Sequence, residues 1–401
     1  MERELSIGFL PLVDACLPIL AREHGFAEDE GLSLRLIKDM SWATVLDRLL
    51  YGHSDAAHLI APLAIAVTLG RGRPAQPLSV PFVLGLNGNA ITLSMGLAER
   101  LGSSGLSEPA TAGKALAPIA KERLEAGRPL RFGVVHRYSS HNYILRYWLA
   151  ACGIRPDHDV EFVTVPPPFC ADALKQGEVD GICVGEPWNS VAVERGVGRI
   201  VLFSAQIWRR GVEKVLALRE PVMEERRPDI EALVRAMRRA GDHFVNPENW
   251  DANAAILARP EYLDGDPKLI KCAISDNLQI VRGAGAIHYP DFMFQHREAA
   301  NFPWISQAEW LYSQMIRWDG TPFDASDAAK AARVFRPDAY RSALLGTGDV
   351  LPGASSKVEG SLTQPLAVTT QQGGITLENN SFFDGRSFDP TDISGYIDSL
   401  P

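Results

Sequence analysis

The stretch VDGICVGEPW at residues 179–188, closed by Asn189, decides the fold of this chain. It begins as a short apolar run and ends in a turn that carries a carboxylate and an indole. Short apolar runs bounded by Gly and Pro are typical of strands buried in a parallel sheet. Open α/β sheets bind their ligands just outside the carboxyl ends of such strands, where Glu186 and Trp188 stand. Taken alone, the stretch fits a ligand site and a purely structural role equally well. In the structural role Trp188 is a core aromatic and Glu186 a loop charge.

Strand and helix patterns alternate on both sides of this stretch. They predict a first α/β lobe at 1–95, a second at 96–198, and a return to the first lobe with a helical extension at 199–345. Two crossings between α/β lobes make a hinge with a cleft, which is the architecture of a solute-binding clamp. Residues 346–401 form an extended tail. Its first part, 346–373, is poor in apolar residues, and the aromatic segment 381–390 is expected to dock back onto the body.

The composition excludes several classes of protein. The formal net charge is −9, so a nucleic-acid-binding footprint is absent, although a few donors can still bind a small anion. The five cysteines form no CxxC pair, which argues against a zinc or disulfide framework. No apolar run approaches the ~20 residues of a membrane helix. The opening MERE lacks a positive n-region, so a cytoplasmic protein is expected; the alternative is a periplasmic one whose signal was removed.

Catalytic motifs are missing from the sequence. It contains no G-x-S-x-G, P-loop or H-E-x-x-H, and its histidines have no carboxylate or cysteine cluster to complete a metal site. We therefore expect no enzyme, no cofactor and no metal. A clamp-fold enzyme that uses His141 with Cys183 stays open as an alternative.

Polar and aromatic side chains fall at strand ends and helix starts. His141 begins a helix after two serines, where free backbone N–H groups and the helix dipole favour an anion. Lys214 opens a later strand and supplies a cation. Each of these residues is more often structural when taken singly, so it is their shared placement that indicates a ligand site. The set comprises Trp42, Asn87, Asn89, Ser139, Ser140, His141, Glu186, Trp188 and Lys214.

Several motifs resemble the nitrate/nitrite/bicarbonate solute-binding family of ABC transporters. They are GFLPLVD at 8–14, SW at 41–42, AHLIAP at 57–62, LNGNAI at 86–91, the segment from His141 through RYWL at 146–149, VPPP at 165–168, VGEPWN at 184–189 and FFDGRSFDP at 382–390. The resemblance implies an α/β, two-lobed periplasmic-binding-protein-like clamp of type II with a hinge and a central ligand cleft. By position it also implies the ligand-binding residues Trp42, Asn89, His141, Glu186, Trp188 and Lys214.

Two positions depart from the family pattern. Asn89 stands where transporter members carry a glutamine, which is one methylene longer, and Tyr138-Ser139-Ser140 replaces a Gly-rich turn. Bicarbonate binders of the family recruit calcium through a carboxylate. The sequence shows no added acidic cluster, so nitrate or nitrite is the expected ligand. Glu186 would repel such an anion and is expected to orient Lys214 or His141, or to accept a hydrogen bond from a protonated ligand.

Within the family, the missing signal peptide implies a cytoplasmic nitrate/nitrite sensor of the NasS type. Such a sensor holds an ANTAR-type, NasT-like antiterminator and releases it when the ligand binds. The chain itself then contacts no nucleic acid, and its acidic surface can meet a basic partner. The alternatives are the exported binding component of a nitrate/bicarbonate ABC transporter and the clamp-fold enzyme. On this hypothesis Lys214→Ala abolishes nitrate binding and leaves the fold intact.

Overall fold

The structure is a computed structural model that describes residues 3–102, 105–370 and 373–401. The strands are β1 (Arg3–Phe9), β2 (Leu32–Lys38), β3 (Ala56–Ile60), β4 (Leu78–Asn87), β5 (Asn89–Ser94), β6 (Leu130–Val134), β7 (Val160–Thr164), β8 (Gly181–Gly185), β9 (Gly198–Phe203), β10 (Val212–Arg219), β11 (Asn277–Leu278), β12 (Ile287–His288), β13 (Met293–Phe294), β14 (Leu366–Thr370) and β15 (Gly373–Leu377).

The helices follow in the same numbering. They are α1 (Cys16–Glu23), α2 (Phe26–Asp29), α3 (Trp42–Leu50), α4 (Ala61–Thr68), α5 (Met95–Leu101), α6 (Pro109–Glu125), α7 (Ser140–Ala151), α8 (Cys170–Gln176), α9 (Trp188–Glu194), α10 (Ser204–Ile207), α11 (Glu220–Glu225), α12 (Arg227–Val245), α13 (Trp250–Leu257), α14 (Pro267–Ile274), α15 (Ile305–Asp319), α16 (Ala325–Val334), α17 (Pro337–Leu344) and α18 (Ile393–Asp398). Short 3-10 turns precede α1, α8 and α13 at Val13–Ala15, Pro167–Phe169 and Pro247–Asn249.

Two sheets form the cores of two lobes. The first sheet has six strands in the order β13-β4-β10-β3-β1-β2, and the second has five in the order β7-β6-β8-β5-β9. The predicted strand of the opening stretch is β8, which is buried along its whole length at the centre of the second sheet. It runs parallel to β6 and antiparallel to β5. The predicted α/β fold of two lobes is confirmed.

The chain crosses between the lobes twice. It leaves the first sheet at the end of β4 and enters the second at β5, with Gly88 between them at φ 81°, a conformation that glycine adopts without strain. It returns from β9 through α10 to β10. The sequence predicts 96–198 for the second lobe, whereas both flanking strands, β5 and β9, pair inside the second sheet. An apolar strand does not reveal from its own residues which sheet it will join.

The C-terminal segment packs across the hinge. Phe382 stacks on Trp208 with ring centroids 4.9 Å apart, and Trp310 lies 5.7 Å from the same ring. The hydroxyl of Tyr147, on α7 of the second lobe, donates to the Asp384 carboxylate. The tail therefore contacts the second lobe, the return crossing and α15 together.

No helix in the described ranges of the chain is both long and apolar enough to cross a membrane.

Candidate functional site

Lys214 lies at the centre of the candidate site. Its side chain, on β10, is completely buried, and its Nζ is 2.9 Å from Asp14 Oδ2 and 2.7 Å from Glu213 Oε1. Burial disfavours the ammonium, but the two carboxylates outweigh that effect and raise the pKa of Lys214 above its ordinary value. Lys214 is therefore a buried cation at pH 7.

Asp14 joins this cation to a histidine. It lies in the 3-10 turn before α1 and is 3% exposed. Asp14 Oδ1 is 2.9 Å from His58 Nε2. Burial alone would raise the pKa of Asp14, yet Lys214 and His58 hold it well below its usual range. Burial also lowers the pKa of His58, so a neutral imidazole donates to a charged carboxylate.

Glu213 links the two lobes through its carboxylate. Its Oε2 accepts a hydrogen bond from Asn89 Nδ2 at 2.6 Å, and its Oε1 accepts from Lys214 Nζ. The second-lobe residue His141 places Nε2 at 3.3 Å from Oε1, without the geometry of a hydrogen bond. Asp14 and Glu213 thus both pair with Lys214, so two carboxylates share one buried cation.

A bulge explains why the sequence misses Glu213. Successive residues of a strand point to opposite faces, so Glu213 and Lys214 should diverge. The register of β10 against β4 shifts between Val212 and Lys214 and again before Val215. Such irregularities re-aim side chains, and here adjacent residues contact each other.

His141 and Trp42 stand at the starts of two helices that face the cluster. Ser139 caps α7 by accepting from Asn142 N at 3.1 Å, and Ser41 caps α3 by accepting from Thr44 N at 3.2 Å. Burial lowers the pKa of His141 to about 4, so its ring is neutral at pH 7. The Trp42 ring centre lies 5.5 Å from Lys214 Nζ, within the range of a cation–π contact.

Unpartnered polar atoms gather around Lys214. Among the residues that the structure describes, Trp42 Nε1, both ring nitrogens of His141, Asn89 Oδ1 and His58 Nδ1 are buried without a hydrogen-bond partner. Buried polar groups are nearly always bonded, since leaving one unmade costs about 1–3 kcal/mol. These atoms come from both lobes and leave several hydrogen-bonding groups beside Lys214 unsatisfied.

Glu186 and Trp188 form hydrogen bonds with residues other than Lys214. The ion pairs of Lys214 within the described chain are with Asp14 and Glu213, so the expectation that Glu186 orients this cation is wrong. Glu186 Oε2 instead accepts from Ser190 N at 3.3 Å, and burial raises its pKa to about 7. Trp188 Nε1 donates to Pro11 O at 3.1 Å, and Val13 N donates to Glu186 O at 2.8 Å. The turn after β8 thus fastens the second lobe against the first.

The pair proposed for an enzyme does not form. Cys183 is completely buried in β8, and burial raises the pKa of its thiol. His141 bonds to no group through either ring nitrogen, so it does not activate this thiol. Nowhere in the described ranges do three or more His, Cys, Asp or Glu side chains meet in an arrangement that could hold a metal ion.

Known proteins resemble this chain over nearly its whole length. The NMT1-like family matches residues 1–258. The nitrate/nitrite binding protein NrtA of Nostoc sp. is 30% identical, over 98% of this chain and 85% of that protein. The crystal structure of the periplasmic nitrate-binding protein NrtA from Synechocystis PCC 6803 superposes with a TM-score of 0.86 at 25% identity, over 99% of this chain and 98% of NrtA.

Longer relatives match through part of their length. The nitrate import ATP-binding protein NrtC of Synechocystis sp. is 32% identical over 98% of this chain and 54% of its own length. The bicarbonate transport ATP-binding protein CmpC of Synechococcus elongatus is 30% identical over 99% of this chain and 55% of its own length. The chain spans about half the length of these two curated relatives. From the family match and the near-complete overlap with NrtA, this chain belongs to the NMT1-like family, among the solute-binding proteins that include NrtA.

Proposed function

We propose that this chain binds nitrate or nitrite between its two lobes and delivers the anion to an importer. The observation that carries the proposal is the set of buried, unpartnered donors on Trp42 and His141 beside the buried cation Lys214. Nitrate is a flat, weakly hydrated anion. It needs a cation, neutral N–H donors and an apolar wall, and charge-assisted hydrogen bonds supply about 1.5–3 kcal/mol each. Lys214, the two N–H groups and the Trp42 ring meet these needs.

Ligand entry requires the lobes to part. Lys214 and Trp42 belong to the first lobe and His141 to the second, and all three are buried. Opening breaks the contacts of Trp188 with Pro11 and of Val13 with Glu186. An anion that bonds to groups of both lobes favours the closed state, and this differential affinity is what shifts the population.

The relatives favour an importer over a sensor. Those quoted above are named for nitrate or nitrite binding, or for nitrate or bicarbonate import. A cytoplasmic sensor that releases an ANTAR-type antiterminator would use the same closing clamp. Pull-down from cells that express the chain distinguishes the two: a small RNA-binding partner released by nitrate identifies a sensor, whereas co-purification with a permease identifies an importer.

Calorimetry on a matched pair of tryptophan variants tests the site. Trp42→Phe removes the N–H donor and keeps a ring, so nitrate affinity should fall about tenfold, the equivalent of one hydrogen bond. The control is Trp318→Phe, because Trp318 Nε1 is also buried without a partner but lies at the end of α15. The nitrate affinity of Trp318→Phe should equal that of the wild type. Titration with sodium chloride, the control salt, should give no heat of binding. Folded wild-type chain that binds neither nitrate nor nitrite at millimolar concentration would refute the function.

A further inference from the structure

Glu186 carries a carboxyl group that is enclosed where the two lobes meet. The residue is 1% exposed. It lies on the second lobe, in the turn after β8, and its backbone carbonyl accepts a hydrogen bond from Val13 N of the first lobe at 2.8 Å. Two residues further on, Trp188 Nε1 donates to Pro11 O at 3.1 Å. The segment of the first lobe that precedes α1 therefore covers the turn, and it does so only while the lobes are together.

This carboxyl group has no cation beside it. In the described ranges of the chain, the buried cation Lys214 pairs with Asp14 and Glu213, and no Lys, Arg or His forms an ion pair with Glu186. Glu186 Oε2 accepts from Ser190 N at 3.3 Å, and Oε1 is buried without a partner. A carboxylate that is removed from water without a countercharge binds a proton instead. Burial accordingly raises the pKa of Glu186 to about 7.

The titratable groups on the neighbouring elements supply no countercharge to Glu186. Asp14, in the turn before α1, is itself an anion that is paired with Lys214. Cys272, on α14, has a thiol whose pKa is raised by burial and then by the Glu186 carboxylate. The adjacent Lys271 forms its ion pair with a carboxylate of α13. Neighbours that are neutral or of like charge favour the protonated form of a buried carboxyl group.

We propose that closure of the lobes takes up one proton at Glu186, so that the protein binds its anion together with a proton from the solvent. This inference rests on the proposed function, because the bound anion is what favours the closed state. When the lobes part, water reaches the turn and Glu186 ionises. When they close, an ionised Glu186 would add a third carboxylate to those of Asp14 and Glu213, which share one lysine. The proton removes that charge from the side of the cleft that the anion enters.

Glu186 and His141 respond to closure with opposite signs. The pKa of Glu186 rises from 4.5 in water to about 7 in the closed protein, so closure binds a proton and the affinity for the anion falls as pH rises. Linkage gives an uptake of about half a proton per anion at pH 7 and a contribution to the affinity that falls about tenfold from pH 6 to pH 8. Burial lowers the pKa of His141 to about 4, so closure releases its proton in acid. A comparison of two variants that both keep His141 cancels this second effect.

Titration calorimetry with sodium nitrate at pH 6, 7 and 8 tests the inference. Two buffers of different ionisation enthalpy at each pH give the number of protons taken up. Glu186→Gln keeps an acceptor for Ser190 N but binds no proton. Uptake at pH 7 should therefore be about half a proton lower in Glu186→Gln than in the wild type, and the ratio of wild-type to variant affinity should fall about tenfold from pH 6 to pH 8.

Asp276→Asn is the matched control. Burial raises the pKa of Asp276 to about 7 as well, but its side chain accepts from Met293 N within the first lobe. The control should take up as many protons as the wild type. If Asp276→Asn abolishes the uptake and Glu186→Gln does not, the proton binds elsewhere and the inference fails.

The remaining outcomes separate the inference from the proposed function. If the wild type binds nitrate with the same proton uptake as Glu186→Gln, the inference fails and the function stands. If the wild type binds neither nitrate nor nitrite at any of the three pH values, the function fails with it. Should Glu186→Gln not fold, as judged by its circular dichroism, infrared spectroscopy of the wild type replaces the comparison. Nitrate should then increase the carbonyl band of a protonated carboxyl group at pH 7, and an unchanged band overturns the inference.

Discussion

The buried cluster of charges makes Lys214 a residue on which the fold depends. Lys214→Met keeps the apolar stem and removes the cation, which leaves Asp14 and Glu213 buried within reach of each other. Removing one partner of a buried ion pair costs about 3–5 kcal/mol because the remaining charge stays uncompensated. We expect a loss of that size in the free energy of unfolding at pH 7. The sequence alone led us to expect that Lys214→Ala leaves the fold intact. The burial of Lys214 instead leads us to expect that this substitution destabilises the fold.

The same reasoning predicts a rescue and a pH dependence. The double variant Lys214→Met/Glu213→Gln should regain about half of the lost free energy of unfolding, since Asp14 keeps His58 as its partner. In the wild type the pKa of Asp14 is depressed, so its stabilisation is present above the unfolded pKa of about 3.9 and is lost as pH falls through the lower folded value. In the variant the orphaned carboxylates bind protons more readily. The difference in free energy of unfolding between Lys214→Met and the wild type should therefore decrease as the pH is lowered from 7 to 5.

Urea unfolding followed by circular dichroism measures both effects. The control is Lys271→Met, because Lys271 pairs with Asp251 at 2.7 Å with side chains 44% and 81% exposed. Such a surface pair is worth about 0–1 kcal/mol. A loss below about 1 kcal/mol for Lys214→Met at pH 7, or a gap that acid does not narrow, would refute the reasoning that water is excluded from the cluster.

Two further predictions concern other buried groups. Burial raises the pKa of Glu186 from 4.5 to about 7, so the native state binds the extra proton and its stability falls as pH rises across that interval. Glu186→Gln should remove this pH-dependent part of the stability, about 3 kcal/mol by linkage. The melting temperature of the variant should then vary less between pH 5 and pH 8 than that of the wild type. An unaltered profile would contradict the burial of the carboxyl. Phe382→Ala should cost about 3–5 kcal/mol because it empties the space against Trp208 and Trp310, whereas Phe323→Ala, at a ring 39% exposed, should cost far less. Equal melting temperatures for the two phenylalanine variants would show that the tail does not stabilise the body.

Local patterns of the sequence determine much of this protein. The apolar run of β8 predicts a buried strand from its own residues, because a strand buried on both faces of a sheet is apolar at successive positions. Ser41 caps the start of α3, and an N-cap depends only on residues within one helical turn. His141 and Lys214 follow from their places at a helix start and a strand opening, and the structure brings them to the same cluster.

Only the tertiary structure decides how the site is charged. Asp14 and Lys214 lie far apart in the chain and meet through the pairing of the first sheet and the turn before α1. Glu213 reaches the site through an irregularity of β10, which no alternation pattern shows. Glu186 has a motif that suggests a ligand contact, yet its side chain accepts from Ser190 N and its backbone carbonyl accepts from Val13 N. A sequence specifies which groups are available, whereas their protonation and partners depend on burial and on distances between segments that are remote in the chain.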